Sequence, residues 1–408
     1  MNQPLPVRRV LSGMRPTGQL HLGNYHGALR NWVDLQHRYA GYFFVADWHA
    51  LTTGYEDTST LQQHIHEMVI DWLAAGIDPD KAVVFVQSQV PEHAELHLLL
   101  SMVTPLGWLE RVPTYKDQQA QLKDKDLATY GFLGYPLLQS ADILLYRPEY
   151  VPVGEDQVAH VEITREVARR FNHLFGGGTR FEARVKAALK LLSGADRAEV
   201  QALRRRLQEA GDAAAPEALQ ALLGRQPPRV DTAARAVITD HLHGDCERIL
   251  PEPQVLLTPV PKVTGLDGRK MSKSYGNTIG LREDPESVAR KLRTMQTDPA
   301  RARRTDPGEP TRCPVWDMHR LYSTEATRSW VEQGCRSAGI GCLDCKQPVI
   351  DAVVAEVTQM RERAAPFQED PARVAAVLAA GAEKAREAAR ATMADVREAM
   401  NLAPPHLA

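Results

Sequence analysis

The sequence predicts an α/β protein, in which a doubly wound parallel sheet is followed by a helical C-terminal region. Between residues 7 and 175, short apolar runs alternate with segments of helical periodicity, the pattern of βαβ units. A glycine-rich loop separates the first apolar run from the first helical segment. After residue 279 the pattern is mainly helical, with one Pro/Arg-rich interruption at 299–314. A chain of 408 residues is long for one domain, so we expect two or three.

The first part of the chain, residues 1–175, supplies the predicted sheet. Predicted strands are Val7–Leu11, Tyr42–Ala46, Ala82–Val86 and Tyr150–Val153. Predicted helices are one that begins near Tyr25 with Asn24 as its N-cap, then Leu61–Ala75, Val90–Met102, Pro136–Tyr146 and Val158–Phe171.

Composition then divides the rest of the chain into three parts. Residues 176–253 are rich in Ala, Arg and Leu and are predicted to be a mainly helical insertion, with helices near 181–193, 196–209 and 215–224. Residues 254–284 return to the sheet region. Residues 285–408 are predicted to be helical, beginning with a helix at 285–295 capped by Asp284 and ending with a helix at 371–400.

Composition also limits the class of protein. The hydrophobic fraction of 43% and the charged fraction of 25% are ordinary for a globular protein, and no apolar run reaches 18 residues. We therefore expect a cytoplasmic protein that has no membrane partner. A net charge of −2 means that any contact with RNA must depend on local basic patches. The odd number of cysteines, five, fits a reducing compartment.

Two loops carry the residue types that bind phosphate. In Leu11–Arg30, three glycines allow close approach of a phosphate to the main chain, and His21 and Asn24 lie three residues apart. Far downstream, the glycine-bounded loop around Lys270–Ser274 has two lysines that can close on a polyphosphate. Each loop alone also fits a simpler interpretation, a tight turn or a solvated loop.

Taken together, the two loops resemble a known family. His21-Leu22-Gly23-Asn24 resembles the HIGH signature of class I aminoacyl-tRNA synthetases, and Lys270–Ser274 matches their KMSKS signature. The resemblance implies a Rossmann-like catalytic domain that activates an amino acid with ATP and Mg²⁺, and a helical anticodon-binding domain at 285–408. It also implies catalytic roles for His21, Asn24, Lys270 and Lys273. The implied ATP-binding residues are Arg15, Pro16, Thr17, Gly23, Asn24, Gly154, Glu155, Asp156, Lys270, Met271, Ser272, Lys273 and Ser274.

The chain departs from the family pattern at three places. Arg15 stands where the bacterial pattern often has Gln, and His21 replaces a common Thr. The segment 115–134 is a few residues longer than usual. Lys116 is the nearest candidate there for the phosphate-binding lysine of the family.

The stretch Tyr135–Asp142 resembles the substrate-pocket helix of the tyrosyl and tryptophanyl subclass. The stretches Asp142–Tyr146 and Val151–Gln157 resemble tryptophanyl-tRNA synthetases in particular. This implies L-tryptophan, ATP and tRNA(Trp) as partners, and a homodimer. Because the indole N–H is only a donor, a pocket that selects tryptophan needs a buried acceptor, and Asp142 suits that role. The resemblance adds Tyr135, Gln139, Gln157 and His49 to the tryptophan site. The alternatives are a structural ion pair for Asp142 and a core position for His49.

Two other functions remain open on the sequence. A tyrosyl-tRNA synthetase uses a similar set of Tyr, Gln and Asp residues. A catalytically inactive paralogue that binds RNA is the alternative from a different class, although intact HLGN and KMSKS motifs argue against it.

Four cysteines form a separate group. Cys313, Cys335, Cys342 and Cys345 are separated by 21, 6 and 2 residues, which favours a metal site over scattered thiols. Zinc and an iron–sulfur cluster fit this spacing equally well. Some tryptophanyl-tRNA synthetases carry a 4Fe–4S cluster with similar spacing, so the resemblance implies a cluster, with Zn²⁺ as the alternative. A basic group suited to an anticodon stem-loop lies nearby, made up of Arg301, Arg303, Arg304 and Arg312.

Overall fold

The protein is described from a computed structural model that covers residues 8–112, 128–257 and 263–402. The strands are β1 (Arg9–Met14), β2 (Ala40–Val45), β3 (Ala82–Val86), β4 (Tyr150–Val153) and β5 (Gln254–Leu257). The helices are α1 (Leu22–Asn24), α2 (Arg30–Leu35), α3 (Asp47–Gly54), α4 (Leu61–Ala75), α5 (Glu92–Ser101), α6 (Leu106–Glu110), α7 (Tyr130–Tyr146), α8 (Val158–Phe175), α9 (Thr179–Lys190), α10 (Gly194–Ala210), α11 (Ala215–Gly224), α12 (Thr232–His243), α13 (Pro285–Thr294), α14 (Pro314–Tyr322), α15 (Glu325–Arg336), α16 (Cys342–Glu369) and α17 (Pro371–Ala399).

The strands form a sheet with the order β3-β2-β1-β4-β5. β1 pairs in parallel with both β2 and β4, and β2 pairs in parallel with β3. Leu11 lies beside Tyr42, and Phe43 lies beside Val84. The predicted doubly wound parallel sheet is therefore confirmed. Its strand order changes direction between β1 and β4, and open α/β sheets bind ligands at such a point.

The described residues fall into two compact units. The first contains the described residues up to Pro91, Tyr150–Val158 and Val255–Arg386, and it includes most of the sheet. The second contains Glu92–Glu149, Ala159–Gln254 and the described residues from Glu387 onwards.

Aromatic side chains from both sides of a β–α interface fill the core of the first unit. The rings of Trp32 and Phe43 stack at 4.9 Å, and Trp72 meets Trp32 edge-on at 5.2 Å. All three side chains are buried. Burial of each such side chain contributes about 2–3 kcal/mol. The apolar face of α4 thus fixes the first helices after β1 against the sheet.

Helix α17 approaches the sheet so closely that a glycine is required at the contact. A Cβ atom on Gly381 would lie 1.8 Å from the carbonyl oxygen of Val84 in β3. Any other residue would have to move the helix or the strand.

Several predicted elements match the structure and others differ in their bounds. β3, β4, α4 and α11 agree with prediction, and Asp284 caps α13 by accepting from the Ser287 N–H at 3.0 Å. β1 ends at Met14, three residues later than predicted, and α7 begins at Tyr130, where Thr129 caps it. Helices α12 and α14–α16 were not predicted individually.

The predicted insertion has a core of its own. Helices α9–α12 bury one side chain or more each against the others, including Phe181, Leu203, Leu219 and Ile238. Across the described ranges, we find no helix with both the length and the apolar character needed to cross a membrane.

Candidate active site

The base of the candidate site lies at the carboxyl ends of β1 and β4. Arg15, Pro16 and Thr17 follow β1 directly, and Gly154 follows β4 and leads into the 3₁₀ turn Glu155–Gln157. The two strands are parallel neighbours. Both groups of residues therefore lie at the edge of the sheet where its order changes direction, the usual position of a nucleotide in such folds.

The helix after the glycine-rich loop begins earlier than predicted. His21 is its N-cap, because His21 Nδ1 accepts from the Gly23 N–H at 3.1 Å. Asn24 Oδ1 accepts from the His21 backbone N–H, also at 3.1 Å, so the two side chains form a reciprocal capping box. The prediction that Asn24 is the N-cap is wrong. A π-helical turn, Tyr25–Leu29, continues the helix into α2.

The capping box determines which atoms His21 can offer to a ligand. Burial, with the positive charge of Lys273 as a second cause, lowers the pKa of His21 to about 4. The imidazole is therefore neutral at pH 7. Since Nδ1 accepts from Gly23, the proton is on Nε2. His21 is thus an uncharged donor, and the Nδ2 amide of Asn24 is a second donor.

The KMSKS motif lies at the end of a hairpin, defined here as residues 263–271. Thr264 and Lys270 form an antiparallel bridge, and the Met271 N–H donates to the Val263 carbonyl at 2.9 Å. Met271 is buried, whereas Lys270 is exposed. Lys273 and Ser274 follow in a 3₁₀ turn that ends at Gly276, where φ is +63°. The hairpin anchors the motif through Met271 and leaves its lysines at the surface.

Asn277 holds the first residues of the motif, Lys270 and Ser272, and the turn before them. Its Oδ1 accepts from the Ser272 N–H at 2.8 Å, and its Nδ2 donates to Asp267 at 2.6 Å and to the Lys270 carbonyl at 3.2 Å. Asn277 is only 2% exposed. Sequence reasoning missed this residue, although it lies three positions after the KMSKS letters.

The two signature motifs are adjacent in space. The Lys273 ammonium donates to the Thr17 carbonyl at 2.5 Å. The Leu22 N–H donates to the Ile279 carbonyl, and the Leu281 N–H donates to the Leu20 carbonyl, each at 3.0 Å. The segment that follows KMSKS therefore pairs with the segment that opens HLGN.

A buried ion network supports this pairing. Asp71, in α4, accepts from the Leu20 N–H and from Arg282 Nε, both at 2.6 Å. Arg282 also pairs with Glu67. Burial raises the pKa of Asp71 to about 6, and the guanidinium of Arg282 opposes this rise. The network ties α4 to the chain on both sides of the site, and no motif in the sequence indicated it.

Predicted and unpredicted residues line a shared cavity at this place. Of the predicted set, Thr17, His21 and Lys273 line it. Gln63, His64, Glu67 and Glu283, which sequence reasoning did not select, also line it. The cavity therefore combines three residues predicted to bind ATP or to act in catalysis with polar side chains from α4 and from the segment after KMSKS.

The predicted tryptophan-binding residues are divided between the two units. Tyr135, Gln139 and Asp142 are in α7 of the second unit, whereas His49 in α3 and Gln157 in the 3₁₀ turn after β4 belong to the first. Asp142 and Tyr135 are buried, and His49 is 9% exposed. Lys116 lies outside the described residues, and Asp156 is described only by its backbone position in the 3₁₀ turn.

Asp142 has a buried partner that sequence reasoning did not identify. His93 Nδ1 lies 2.6 Å from Asp142 Oδ1, and His93 Nε2 lies 2.7 Å from the Tyr146 hydroxyl. Both bonds are satisfied when Tyr146 donates to Nε2 and His93 donates from Nδ1 to the carboxylate. Since His93 is fully buried, it fixes the orientation of the Asp142 carboxylate.

The four grouped cysteines line one small cavity, together with Arg301 and Lys346. Burial raises the pKa of Cys345 to about 12, and the other three thiols add to this rise. No three or more His, Cys, Asp or Glu side chains in the described ranges lie close enough to share one metal ion. Arg301 is 8% exposed and donates to the Ile340 carbonyl at 2.6 Å, so it is not part of the predicted surface cluster. Arg303, Arg304 and Arg312 are exposed.

Comparison with known proteins agrees with this geometry. The sequence profile of class I tRNA synthetases (W and Y) matches residues 6–199 and 231–358. The chain is 59% identical to a tryptophan–tRNA ligase of Ralstonia nicotianae, over 97% of the chain and 98% of that protein. It is 43% identical to a tryptophan–tRNA ligase of Thermotoga maritima, over 97% of the chain and 99% of that protein.

A solved structure is similar along its whole length. The tryptophanyl-tRNA synthetase of Campylobacter jejuni, determined with ADP and tryptophan, has a TM-score of 0.72 and 29% identity, and the match covers 97% of this chain and 100% of that one. The match of the profile to most of the chain and the high identity over full length show the family. The chain therefore belongs to the class I aminoacyl-tRNA synthetases for tryptophan and tyrosine, and within them to the tryptophan–tRNA ligases.

Proposed function

We propose that this chain forms tryptophanyl-adenylate at the loop after β1 and then transfers tryptophan to tRNA(Trp). ATP, carried with Mg²⁺, binds at the switch point of the sheet with its phosphates between His21 and Lys273. One observation carries the proposal: Thr17, His21 and Lys273 line one cavity although 256 residues separate Thr17 from Lys273. The ADP and tryptophan in the Campylobacter jejuni protein support the choice of ligands.

In the first step, a carboxylate oxygen of tryptophan attacks the α-phosphorus of ATP. The bond from that phosphorus to the oxygen bridging to the β-phosphate breaks, and pyrophosphate leaves with the electron pair. Negative charge therefore grows on the leaving group, where Lys270 and Lys273 can stabilise it. His21 and Asn24 hold phosphate oxygens as neutral donors. In the second step, a hydroxyl of the terminal tRNA ribose attacks the carbonyl carbon, and AMP leaves.

Tryptophan-dependent exchange of pyrophosphate into ATP tests the assignment of the lysines. We expect Lys273→Ala and Lys270→Ala each to lower the exchange rate by about 100-fold, with little change in tryptophan affinity, because the contact gains strength only as the leaving group forms. Lys186→Ala, at an exposed position in α9, is the matched control and should have no effect. Loss of tryptophan binding with an unchanged rate would contradict the assignment.

We propose that Asp142 accepts the indole N–H and that His93 orients it. In support, Asp142 is 1% exposed and His93 holds its Oδ1 at 2.6 Å. Tyr135, Gln139, Gln157 and His49 complete the tryptophan site in this proposal. His93→Gln should raise the KM for tryptophan about tenfold and leave the KM for ATP unchanged. Exchange measured with tyrosine should stay at background for the unmodified chain, and tyrosine-dependent exchange would favour the tyrosyl alternative.

We propose that Cys313, Cys335, Cys342 and Cys345 bind a 4Fe–4S cluster. Four thiols around one cavity are the donor set of either a cluster or zinc. The resemblance of the cysteine spacing to that of tryptophanyl-tRNA synthetases that carry a cluster favours the cluster, and Zn²⁺ is the alternative. The bound group would stabilise the local structure and take no part in the reaction.

Anaerobic purification followed by metal analysis tests this proposal. We expect broad absorption near roughly 400 nm and about four irons and four sulfides per chain, as for a cubane held by four cysteines. Cys342→Ser should lose the colour, whereas Cys246→Ser, outside the group, should keep it. One zinc per chain without colour would mean that the site is a structural zinc site and binds no cluster. A chain that binds no metal at all would rule out both the cluster and the zinc site.

The proposal extends to assembly and to tRNA. We propose that the chain acts as a cytoplasmic homodimer, and that residues 285–408 read the anticodon with Arg303, Arg304 and Arg312, which are exposed. Sedimentation at micromolar concentration tests the dimer. Arg304→Ala should raise the KM for tRNA(Trp) without changing pyrophosphate exchange, and an effect on both reactions would contradict the anticodon role.

A further inference from the structure

The hairpin that leads into KMSKS rests on the first turn of α14. Thr264 Oγ1 donates to Asp317 Oδ2 at 2.7 Å, and Thr264 is only 8% exposed. Thr264 lies opposite Lys270 in the antiparallel bridge. The contact with Asp317 therefore fixes the strand that faces the first catalytic lysine.

The turn of the hairpin fits against the same region without free space. A Cβ atom on Gly268 would lie 2.9 Å from Pro314 Cγ, and Gly268 has a φ of +83°, so only glycine fits this turn. The Gln296 N–H donates to the Leu266 carbonyl at 3.0 Å, close to the end of α13. The hairpin is thus held at both its strand and its turn.

The other end of α14 contacts the helix that follows HLGN. Tyr322, its last residue, lies with its hydroxyl 2.7 Å from His26 Nε2 and donates to Glu356 at 2.7 Å. His26 is buried in the π-helical turn directly after Asn24. Such turns are often found at functional sites.

The middle of α14 is fixed as well. His319 is fully buried, its Nδ1 lies 2.8 Å from the Ser323 hydroxyl, and its Nε2 lies 3.1 Å from the Cys345 carbonyl. The helix is therefore held along its length and behaves as a rigid rod of about 13 Å.

We propose that α14 is a positioning element for amino-acid activation. Through Asp317 at one end and Tyr322 at the other, it sets the spacing between the KMSKS hairpin and the helix after HLGN. Asp317 and Tyr322 act through Thr264 and His26. The inference rests on the proposed roles of Lys270 and Lys273, since positioning the hairpin matters only if those lysines bind the phosphates.

Kinetics of pyrophosphate exchange test the Asp317 contact. We expect Thr264→Val and Asp317→Ala each to lower kcat about tenfold, the low end for a charge-assisted hydrogen bond, with an unchanged KM for tryptophan. Asp317→Asn keeps an acceptor oxygen and should stay within about threefold of the unmodified chain. The double variant should be no slower than either single variant, because both remove one interaction.

Two controls separate positioning from general damage. Thr294→Val removes a hydroxyl that bonds within its own helix, and Glu325→Ala removes an exposed partner of Arg328. Neither should change kcat. If Thr264→Val and Asp317→Ala matched these controls while Lys273→Ala still lowered exchange by about 100-fold, the inference would be wrong and the proposed role of Lys273 would stand. If Lys273→Ala had no effect, the proposed role of Lys273 itself would fail.

Hydrogen exchange gives a readout that does not depend on activity. In Thr264→Val the amide of Met271, bonded across the hairpin, should exchange about tenfold faster. The amide of Arg30 donates to the Tyr25 carbonyl in the π-helical turn. In Tyr322→Phe this amide should also exchange faster, by a similar factor. Unchanged protection in both variants would show that α14 does not hold either motif, and would overturn the inference.

Discussion

Replacement of Asp71 by asparagine should weaken the tie between the HLGN loop and the segment after KMSKS. The carboxylate of Asp71 accepts from the Leu20 N–H through one oxygen and from Arg282 through the other, each at 2.6 Å. Asparagine has one acceptor oxygen, so its amide group must face one of these two donors. One N–H donor is then left opposite another donor in a buried place.

The magnitude follows from the burial of the pair. The side chains of Arg282 and Asp71 are 5% and 1% exposed. Removal of one partner of a buried pair costs about 3–5 kcal/mol. Part of this free energy is recovered, because asparagine keeps one acceptor oxygen and Arg282 keeps Glu67 as a second partner. We therefore expect Asp71→Asn to lower the free energy of unfolding of the first unit by about 2–4 kcal/mol.

Urea unfolding at pH 8, where Asp71 is ionised, measures this loss. The matched control is Arg361→Met, which breaks an exposed pair with Asp284 whose side chains are 43% and 60% exposed. This control should cost less than about 0.5 kcal/mol. Arg282→Met combined with Asp71→Asn should cost less than the sum of the two single changes. If Asp71→Asn cost no more than Arg361→Met, the carboxylate would not be a charged partner of Arg282, and the reasoning would be refuted.

Three further changes probe other parts of the molecule. Because the pKa of His21 is lowered from 6.5 to about 4, the unfolded chain binds the extra proton between these values, so the contribution of His21 to stability should fall by up to about 3 kcal/mol as pH falls from 6.5 to 4. Asp71, whose pKa is raised to about 6, acts in the opposite direction over part of this range, so the test is the difference in stability between the unmodified chain and His21→Asn in urea titrations. A difference that does not change with pH would refute the reasoning. Gly381→Ala should cost about 3 kcal/mol by thermal unfolding, whereas Gly224→Ala, with open space around it, should be neutral or stabilising. Asn277→Ala should slow pyrophosphate exchange about tenfold without weakening tryptophan binding.

Local signals in the sequence were sufficient for much of the sheet and for several helices. β3 is a continuous apolar run, and α4 ends at Gly76 with a φ of +110°, the conformation expected of a helix C-cap. The lysines proposed to be catalytic were selected because their letters match a signature. These features depend on neighbours within a few residues, so one sequence contains enough information to predict them.

Long-range pairs left no such signal. His93 and Asp142 are 49 residues apart, and Asp71 and Arg282 are 211 apart. Each of these residues alone has an ordinary surface or core interpretation. The wrong N-cap has a different cause, since His21 and Asn24 can both cap a helix, and only the observed hydrogen bonds show which one does. The capping box uses both side chains. The sequence therefore indicated both residues of the box, but the N-cap was assigned to Asn24 and is His21.

The insertion at 176–253 is closed at its base, and this leads to a last prediction. The Glu247 N–H donates to the Gly176 carbonyl at 2.8 Å, and Asn172 exchanges two hydrogen bonds with the backbone of Leu250, at 2.8 and 3.0 Å. The insertion therefore leaves and rejoins the second unit at one point, and its helices pack mainly on each other. Closing a long loop costs only about 0.6 kcal/mol of free energy for each doubling of its length. Such an insertion therefore destabilises the rest of the chain only slightly.

Deletion of residues 178–245, with two glycines in their place, should thus leave a folded chain. We expect tryptophan-dependent pyrophosphate exchange within about threefold of the full chain, because none of the proposed ATP- or tryptophan-binding residues lies in the deleted segment. The family profile omits residues 200–230, the middle of the deleted segment, and matches the two ends of that segment. A deletion variant that keeps its circular dichroism spectrum and loses exchange would contradict the expectation, and would mean that the insertion supports the catalytic site. If exchange is retained and only aminoacylation falls, the insertion contacts tRNA, because the two reactions differ in that substrate alone.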